Sequence, residues 1–247
     1  MRPVLRYPGS KARLAGRIVA MMPEHGAYLE PFFGSGAVLM NKARCSTETV
    51  NDLDGNVVNF FTVLRDQPDL LAGALALTPY ARDELARPLV SDDPVERARW
   101  FAVALWQSRE GAIRGSSHFR VDVNGRALAA TWARLPGKIF DAAQRMVGVQ
   151  IENRDAVALI DAAQPGTLIY ADPPYVGLEL YGVGFTFQDH ERFLEAAVAH
   201  DGPVLISGRE SGLYDRRLQG WDRQVVETKK MKNVLEDEIV WRNYAST

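Results

Sequence analysis

Asp172-Pro173-Pro174-Tyr175 is the stretch of this chain whose residue types and spacing are best suited to chemistry. It follows Thr167-Leu168-Ile169-Tyr170-Ala171, a short apolar run of the kind buried on both faces of a parallel sheet. Two consecutive prolines fit neither a sheet interior nor a helix core. They fix an extended backbone just past the strand end, where parallel sheets place their sites. A carboxylate, the adjacent Pro173 carbonyl and an aromatic ring then stand in one rigid cluster. Two acceptors match the two hydrogens of a planar amine, and the ring matches its plane.

A second candidate is Phe32-Phe33-Gly34-Ser35-Gly36, between a predicted strand at 27–30 and a predicted helix from about 37 to 44. Glycines let the backbone turn sharply and pass close to a ligand. A strand, a glycine loop and a helix N-terminus together make a nucleotide-type site, although the same residues also make an ordinary tight turn. The loop lacks the G-x-x-x-x-G-K-[ST] pattern that cradles phosphates, which disfavours ATP hydrolysis. The next predicted strand, 48–51, ends at Asp52. An acid there can accept both ribose hydroxyls of an adenosine cofactor or cap the helix that follows, with Asp54 as the alternative cap.

These residues need a scaffold, and the periodicity supplies an α/β alternation interrupted by helices. Helices are expected at 56–64, 94–108, 156–162 and 189–200, and strands at 147–152, 167–171 and 203–207. Two terminal strands, 225–227 and 238–241, flank a basic loop, Lys229-Lys230-Met231-Lys232. Between 66 and 147 the pattern is helical with few strand signals, and a polar, glycine-bearing loop covers 109–126. The architecture expected is a mostly parallel sheet built from 1–65 and 148–247, with a helical subdomain inserted at 66–147.

With 247 residues, 47% hydrophobic and 24% charged, the chain has the composition of an ordinary globule. Its single cysteine, Cys45, excludes a disulfide framework and any multi-cysteine zinc site. The four histidines, His25, His118, His190 and His200, show no metal-ligand spacing, so no metal is expected. The apolar run 100–106 is too short to span a membrane. Residues 1–23 are basic without acids, as in a transit peptide, but Tyr7-Pro8-Gly9-Ser10-Lys11 is a turn such peptides do not need; a cytoplasmic protein is expected. The net charge of −2 hides four blocks: +5 over 1–45, −7 over 46–96, +6 over 97–145 and −6 over 146–247. Such segregation suits a protein with one face toward a polyanion, and also solvated helix faces.

Tyr7-Pro8-Gly9-Ser10-Lys11, Pro31-Phe32-Phe33-Gly34-Ser35-Gly36, Asn51-Asp52 and Asp172-Pro173-Pro174-Tyr175 occur in the order found in the Dam-like class of DNA adenine-N6 methyltransferases, which the chain resembles over nearly its whole length. The resemblance implies an α/β, Rossmann-like methyltransferase sheet, S-adenosylmethionine as methyl donor, double-stranded DNA as substrate, and a target-recognition insertion where the basic block 97–145 falls. The resemblance allows a cognate restriction endonuclease as functional partner and equally a phage or an orphan regulatory setting. Tyr7 and Lys11 would flank the methionine end of the cofactor. Phe32, Gly34 and Gly36 would line its pocket, Asp52 would hold the ribose, and Asp155 would lie near the cofactor adenine. Asp172 borders the cofactor, and Asp172 to Tyr175 would hold the target base. Many relatives carry a Trp-Ala-Gly-Gly-Lys-like run where this chain has Tyr7 to Lys11, which keeps an aromatic, a glycine and a lysine. Within the insertion, Arg109, Arg114, His118 and Arg120 are the candidates for DNA contact, because arginine suits phosphates and guanine edges.

Neighbouring chemistries are less well matched. Methylation at carbon 5 of cytosine needs a nucleophilic thiol, and Cys45 stands apart from the cluster. Cytosine N4 is the nearer rival, although relatives acting on it more often carry Ser in place of Asp172. RNA or protein amide methylation usually goes with Asn before the prolines. A non-catalytic DNA-binding protein on the same scaffold would have no use for an intact Asp172 and glycine loop. A metal nuclease built on Glu30, Asp52 and Asp172 would use acids that already have places in the methyltransferase pattern.

Overall fold

The computed structural model describes residues 3–87, 91–109, 118–121, 127–177, 185–227 and 237–245. The strands are β1 (Ala27–Glu30), β2 (Thr47–Asn51), β3 (Val149–Glu152), β4 (Leu168–Ala171), β5 (Val204–Gly208), β6 (Asp222–Val226) and β7 (Glu238–Arg242). The helices are α1 (Ala15–Val19), α2 (Gly55–Asp66), α3 (Pro68–Ala76), α4 (Arg82–Ala86) and α5 (Pro94–Gln107). They continue with α6 (Leu128–Trp132), α7 (Pro136–Met146), α8 (Ala156–Asp161), α9 (Phe187–Ala199) and α10 (Gly212–Arg217). The chain divides into two compact units, one comprising 1–12, 34–41 and 55–148, the other 13–33, 42–54 and 149–247.

The second unit holds a seven-stranded sheet in the order β3-β2-β1-β4-β5-β7-β6. The first five strands run parallel, and β7 lies antiparallel to both β5 and β6. β4 and β5 are buried at every position, as strands covered on both faces must be. β6 is an exposed edge that carries Asp222 and Arg223, the kind of charged edge that resists pairing with another chain. Phe193 and Leu194 of α9 join Ile169, Ile206, Tyr214 and Trp241 in the core of this unit. The chain order reverses between β1 and β4, so the carboxyl ends of these strands border the crevice where such sheets bind ligands. Of the basic loop expected between the terminal strands, Lys229, Lys230 and Lys232 lie outside the described residues.

The first unit is helical. α2 packs against α5, α3 and α7, and Phe60 meets Phe61 at 5.4 Å and Phe101 at 6.3 Å between ring centroids. This helix, expected with the sheet segment 1–65, therefore buries its aromatic face in the helical unit, whose longest stretch runs from Gly55 to Gly148. Buried tryptophans are satisfied through backbone carbonyls: Trp106 Nε1 donates to Val4 O at 2.9 Å and Trp132 Nε1 to Thr78 O at 2.7 Å. Arg99 bridges Glu84 at 2.7 Å and Glu96, and its guanidinium holds the Glu96 carboxyl below the usual carboxylate range. Part of the basic block is thus engaged by the acidic block.

The helix expected from 37 to 44 is instead a single 3-10 turn, Leu39–Asn41. Gly34 (φ +51°) and Gly36 (φ +66°) are left-handed, which keeps the chain out of helix as it enters. Asn41 then donates its side-chain amide to Ala37 O at 2.8 Å, a local bond of the kind that competes with helix continuation.

Candidate active site

β4 delivers Asp172 to the carboxyl edge of the sheet, and β5 delivers Ser207 beside it. Ala171 pairs with Ile206, so the next step along both strands sets Asp172 next to Ser207. Ser207 Oγ donates to Asp172 Oδ1 at 3.0 Å and lies 2.9 Å from the Tyr170 hydroxyl. The turn continues through Pro173, buried, and Pro174, half-buried. Tyr175 closes it: its phenol donates to Glu238 Oε2 at 3.2 Å, and the Arg209 guanidinium carbon lies 4.9 Å from its ring centroid. Pro173, Pro174, Tyr175, Ser207, Arg209 and Tyr214 line a shallow, open cleft.

Behind Tyr214, which lines the cleft, a series of rings packs together. Tyr214 OH lies 2.9 Å from Nδ1 of the buried His190. Burial, reinforced by the charge of Asp172, pushes the Tyr214 phenol far above its ordinary value, so it stays a neutral donor. Burial also lowers the His190 pKa. Phe185 presses edge-on against His190 with centroids 4.6 Å apart. Phe32 packs edge-on against Phe185 and Phe193, at 5.6 and 5.4 Å.

At the ends of β1, β2 and β3 the stitching residue is Asn51. Its amide donates to Pro31 O and Arg154 O, each at 3.0 Å, and its Oδ1 accepts from Arg154 N at 2.8 Å. Asp52 follows on the same turn. Its Oδ1 accepts from Asp54 N at 2.9 Å, a local turn bond. Asp155 is the N-cap of α8, accepting from Ala158 N at 3.0 Å, with Arg192 at 3.6 Å. Glu30, buried, accepts from the Tyr28 phenol at 2.7 Å. Asn51, Asp52 and Asp155 thus share one corner of the sheet unit, whereas Asp172 lies just past the end of β4.

Tyr7, Lys11, Gly34 and Gly36 belong to the helical unit. A side chain on Gly34 would meet the Tyr7 ring at 3.1 Å, so this position is favoured as glycine by its left-handed backbone and by the ring against it. Ser10 and Ser35 hydroxyls hydrogen-bond at 2.7 Å, and Lys11 is buried, its ammonium 3.4 Å from Gly9 O. Two of these features are what a closely approached ligand loop needs: a backbone no side chain can shield, and a buried cation.

Of the expected DNA contacts, Arg114 lies outside the described residues. Arg109 and His118 are exposed, and Arg109 N donates to His118 O at 2.9 Å. Arg120 is turned inward: its guanidinium donates to Ser108 O and Arg109 O, each at 2.8 Å. Its own carbonyl accepts from the Tyr80 phenol at 2.8 Å. Arg120 thus braces the segment that carries Arg109.

The sequence pattern did not single out Ser207, Tyr170, Glu238, Arg209 or Tyr214. A serine closing an otherwise apolar strand and an acid opening a terminal strand were the visible signals. Among the described residues, no group of three or more His, Cys, Asp or Glu side chains is placed to hold a metal ion, and no helix is long and apolar enough to cross a membrane.

Residues 7–87 match the family model described as D12 class N6 adenine-specific DNA methyltransferase. The type II methyltransferase M1.LlaDCHI of Lactococcus lactis subsp. cremoris is 24% identical over an alignment covering 100% of this chain and 96% of the relative. The retron Ec67 DNA adenine methylase of Escherichia coli is 22% identical, covering 96% of this chain and 88% of the relative. Among solved structures, TrmN from Thermus thermophilus matches 93% of this chain at 17% identity with a TM-score of 0.43; the chain spans 47% of its length. Through residues 7–87, and through relatives aligned over nearly its full length, the chain is similar to the D12 class of N6 adenine-specific DNA methyltransferases.

Proposed function

We propose that this protein transfers a methyl group from S-adenosylmethionine to the N6 amine of adenine in double-stranded DNA, acting on a base turned out of the helix. The observation that carries the reading is the braced Asp172-Pro173-Pro174-Tyr175 turn at the carboxyl end of β4, with its carboxylate fixed by Ser207 and its ring tied to Glu238. The family match over 7–87 and the two full-length relatives support it.

The adenine amine is a poor nucleophile because its lone pair is delocalised into the ring. Asp172 and the Pro173 carbonyl accept its two hydrogens and draw the nitrogen toward tetrahedral geometry, which frees the lone pair for attack. When bound, S-adenosylmethionine would supply the electrophilic methyl from a sulfonium that leaves as the neutral thioether, and the methylated amine would give up one proton to the Asp172 carboxylate or to solvent. Positioning and electrostatics carry the step, with no covalent nucleophile on the protein. Turning the base out costs roughly a few kcal/mol. Stacking on Tyr175 recovers on the order of 1–3 kcal/mol of that.

The donor set suits the cofactor. Asp52 would accept the ribose hydroxyls, Phe32 would offer an apolar wall, and Asp155 would lie toward the adenine. Tyr7, Lys11, Gly34 and Gly36 contribute to cofactor binding in the same reading, on the strength of their sequence motif and of the loop geometry around Gly34. Segments 1–65 and 148–247 carry catalysis and 66–147 recognises the target. A cognate restriction endonuclease as functional partner and a cytoplasmic setting complete this reading. Incubation with labelled S-adenosylmethionine and DNA, followed by identification of the methylated nucleoside, tests the reading: N6-methyladenine is expected, and N4-methylcytosine or no transfer overturns it.

A further inference from the structure

The geometry points to Ser207, backed by Tyr170, as the positioning residue that fixes the Asp172 carboxylate for the target amine; this rests on the methyltransferase reading above. Side chains alternate along a strand, so Tyr170 and Asp172 share one face. The parallel register sets Tyr170 opposite Leu205 and Ala171 opposite Ile206, which brings Ser207 onto that same face beside Asp172. Ser207 is 0% exposed and Tyr170 1%, so water does not substitute for either hydroxyl.

The direction of the chain follows from hydrogen counting. A serine hydroxyl has one hydrogen, and an ionised carboxylate only accepts. Ser207 donates to Asp172 Oδ1, so Tyr170 is the donor in its 2.9 Å contact with Ser207. Tyr170 to Ser207 to Asp172 is therefore a one-way series in which each bond polarises the next. One consequence bears on the reaction. The terminal torsion of an aspartate is soft, and a fixed partner on Oδ1 sets the plane in which the carboxylate presents its acceptors. That serves an amine that must offer two hydrogens in a defined direction.

The test is single-turnover methyl transfer to DNA, with cofactor titration calorimetry and melting temperature measured on the same variants. Ser207→Ala is expected to slow transfer about ten- to hundredfold while the cofactor dissociation constant and the KM for DNA stay within about threefold, because the interaction is made to the reacting geometry and not to either ligand. Ser207→Thr, which keeps the hydroxyl, recovers most of the rate. Tyr170→Phe has the smaller effect, since Ser207 still donates. In the Asp172→Asn background, Ser207→Ala costs little further, because residues that act through one group are not additive. If Ser207→Ala is unstable because it removes the bond between Ser207 and the Tyr170 phenol, the Ser207→Ala/Tyr170→Phe double variant removes both hydroxyls and is measured in its place. A rate within about twofold of wild type in whichever of these folds, or an equal loss in the Asp172→Asn background, overturns the positioning role. A wild-type protein inert toward adenine instead overturns the methyltransferase reading, and the role with it.

Discussion

The Tyr175 phenol donates to Glu238 Oε2 across 3.2 Å, so the aromatic end of the Asp-Pro-Pro-Tyr turn is tied to β7 while Ser207 of β5 ties its acidic end. Arg209 covers the ring at 4.9 Å. Stacking and tethering are therefore separable by substitution. Tyr175→Ala removes both and is expected to weaken DNA engagement by about 1–3 kcal/mol, the worth of one stacked base. Tyr175→Phe keeps the ring and is expected to lose only the hydrogen bond, about 1 kcal/mol. Steady-state KM for DNA on both variants checks the order; equal losses would deny the ring a stacking role.

Asp172→Ala is expected to abolish methyl transfer while cofactor affinity stays within a few fold. Asp172→Asn is expected to be severely impaired as well, since an amide offers one acceptor oxygen and can turn its NH₂ toward the amine. Turnover by Asp172→Ala within tenfold of wild type would remove the carboxylate from the reaction.

The parts of this site that were legible in sequence are local. Asp172 to Tyr175 announced themselves because two prolines after an apolar run leave the backbone few options. Ser207 was hidden, because a serine at the end of a buried strand gains meaning only when the β4–β5 register is known. Glu238 was hidden for the same reason, 63 residues from Tyr175. The short helices α1 and α10, five and six residues long, lie below the length at which propensity alone holds a helix. The helix expected after Gly36 failed on two left-handed glycines and one asparagine side chain.

Asp52→Ala is expected to weaken cofactor binding about ten- to hundredfold, the loss of a charge-assisted bond worth roughly 1.5–3 kcal/mol. The structure also gives Asp52 a local duty, its bond to Asp54 N. Calorimetric titration with S-adenosylmethionine separates the two. An unchanged dissociation constant with a lowered melting temperature would leave Asp52 a turn residue.

Arg109 and Arg120 differ in what they hold. Arg120 donates to two backbone carbonyls, so Arg120→Ala is expected to lower the melting temperature. Arg109 is exposed, and Arg109→Ala is expected to leave stability alone and, if its head meets a phosphate, to reduce the salt slope of DNA binding by about 1. Binding isotherms at several salt concentrations decide it; an unaltered slope would take Arg109 out of the DNA interface.

His190 sets an acid limit on stability. It is 1% exposed, its Nδ1 faces the Tyr214 hydroxyl at 2.9 Å, and its Nε2 is buried without a hydrogen-bond partner among the described residues. Burial lowers its pKa, with the Asp189 charge opposing more weakly. The folded protein therefore keeps the ring neutral at a pH where the unfolded chain, with an ordinary histidine value of about 6.5, already binds a proton. Its contribution is whole above that value and is lost as pH falls toward the lowered folded value, at up to about 1.4 kcal/mol per pH unit. His25, lowered chiefly by burial, adds to the loss in the same window. Melting temperature is expected to fall as pH drops below about 6.5, and the fall to be shallower in His190→Gln, which has no proton to gain. A variant whose pH dependence parallels that of wild type would place the acid sensitivity elsewhere.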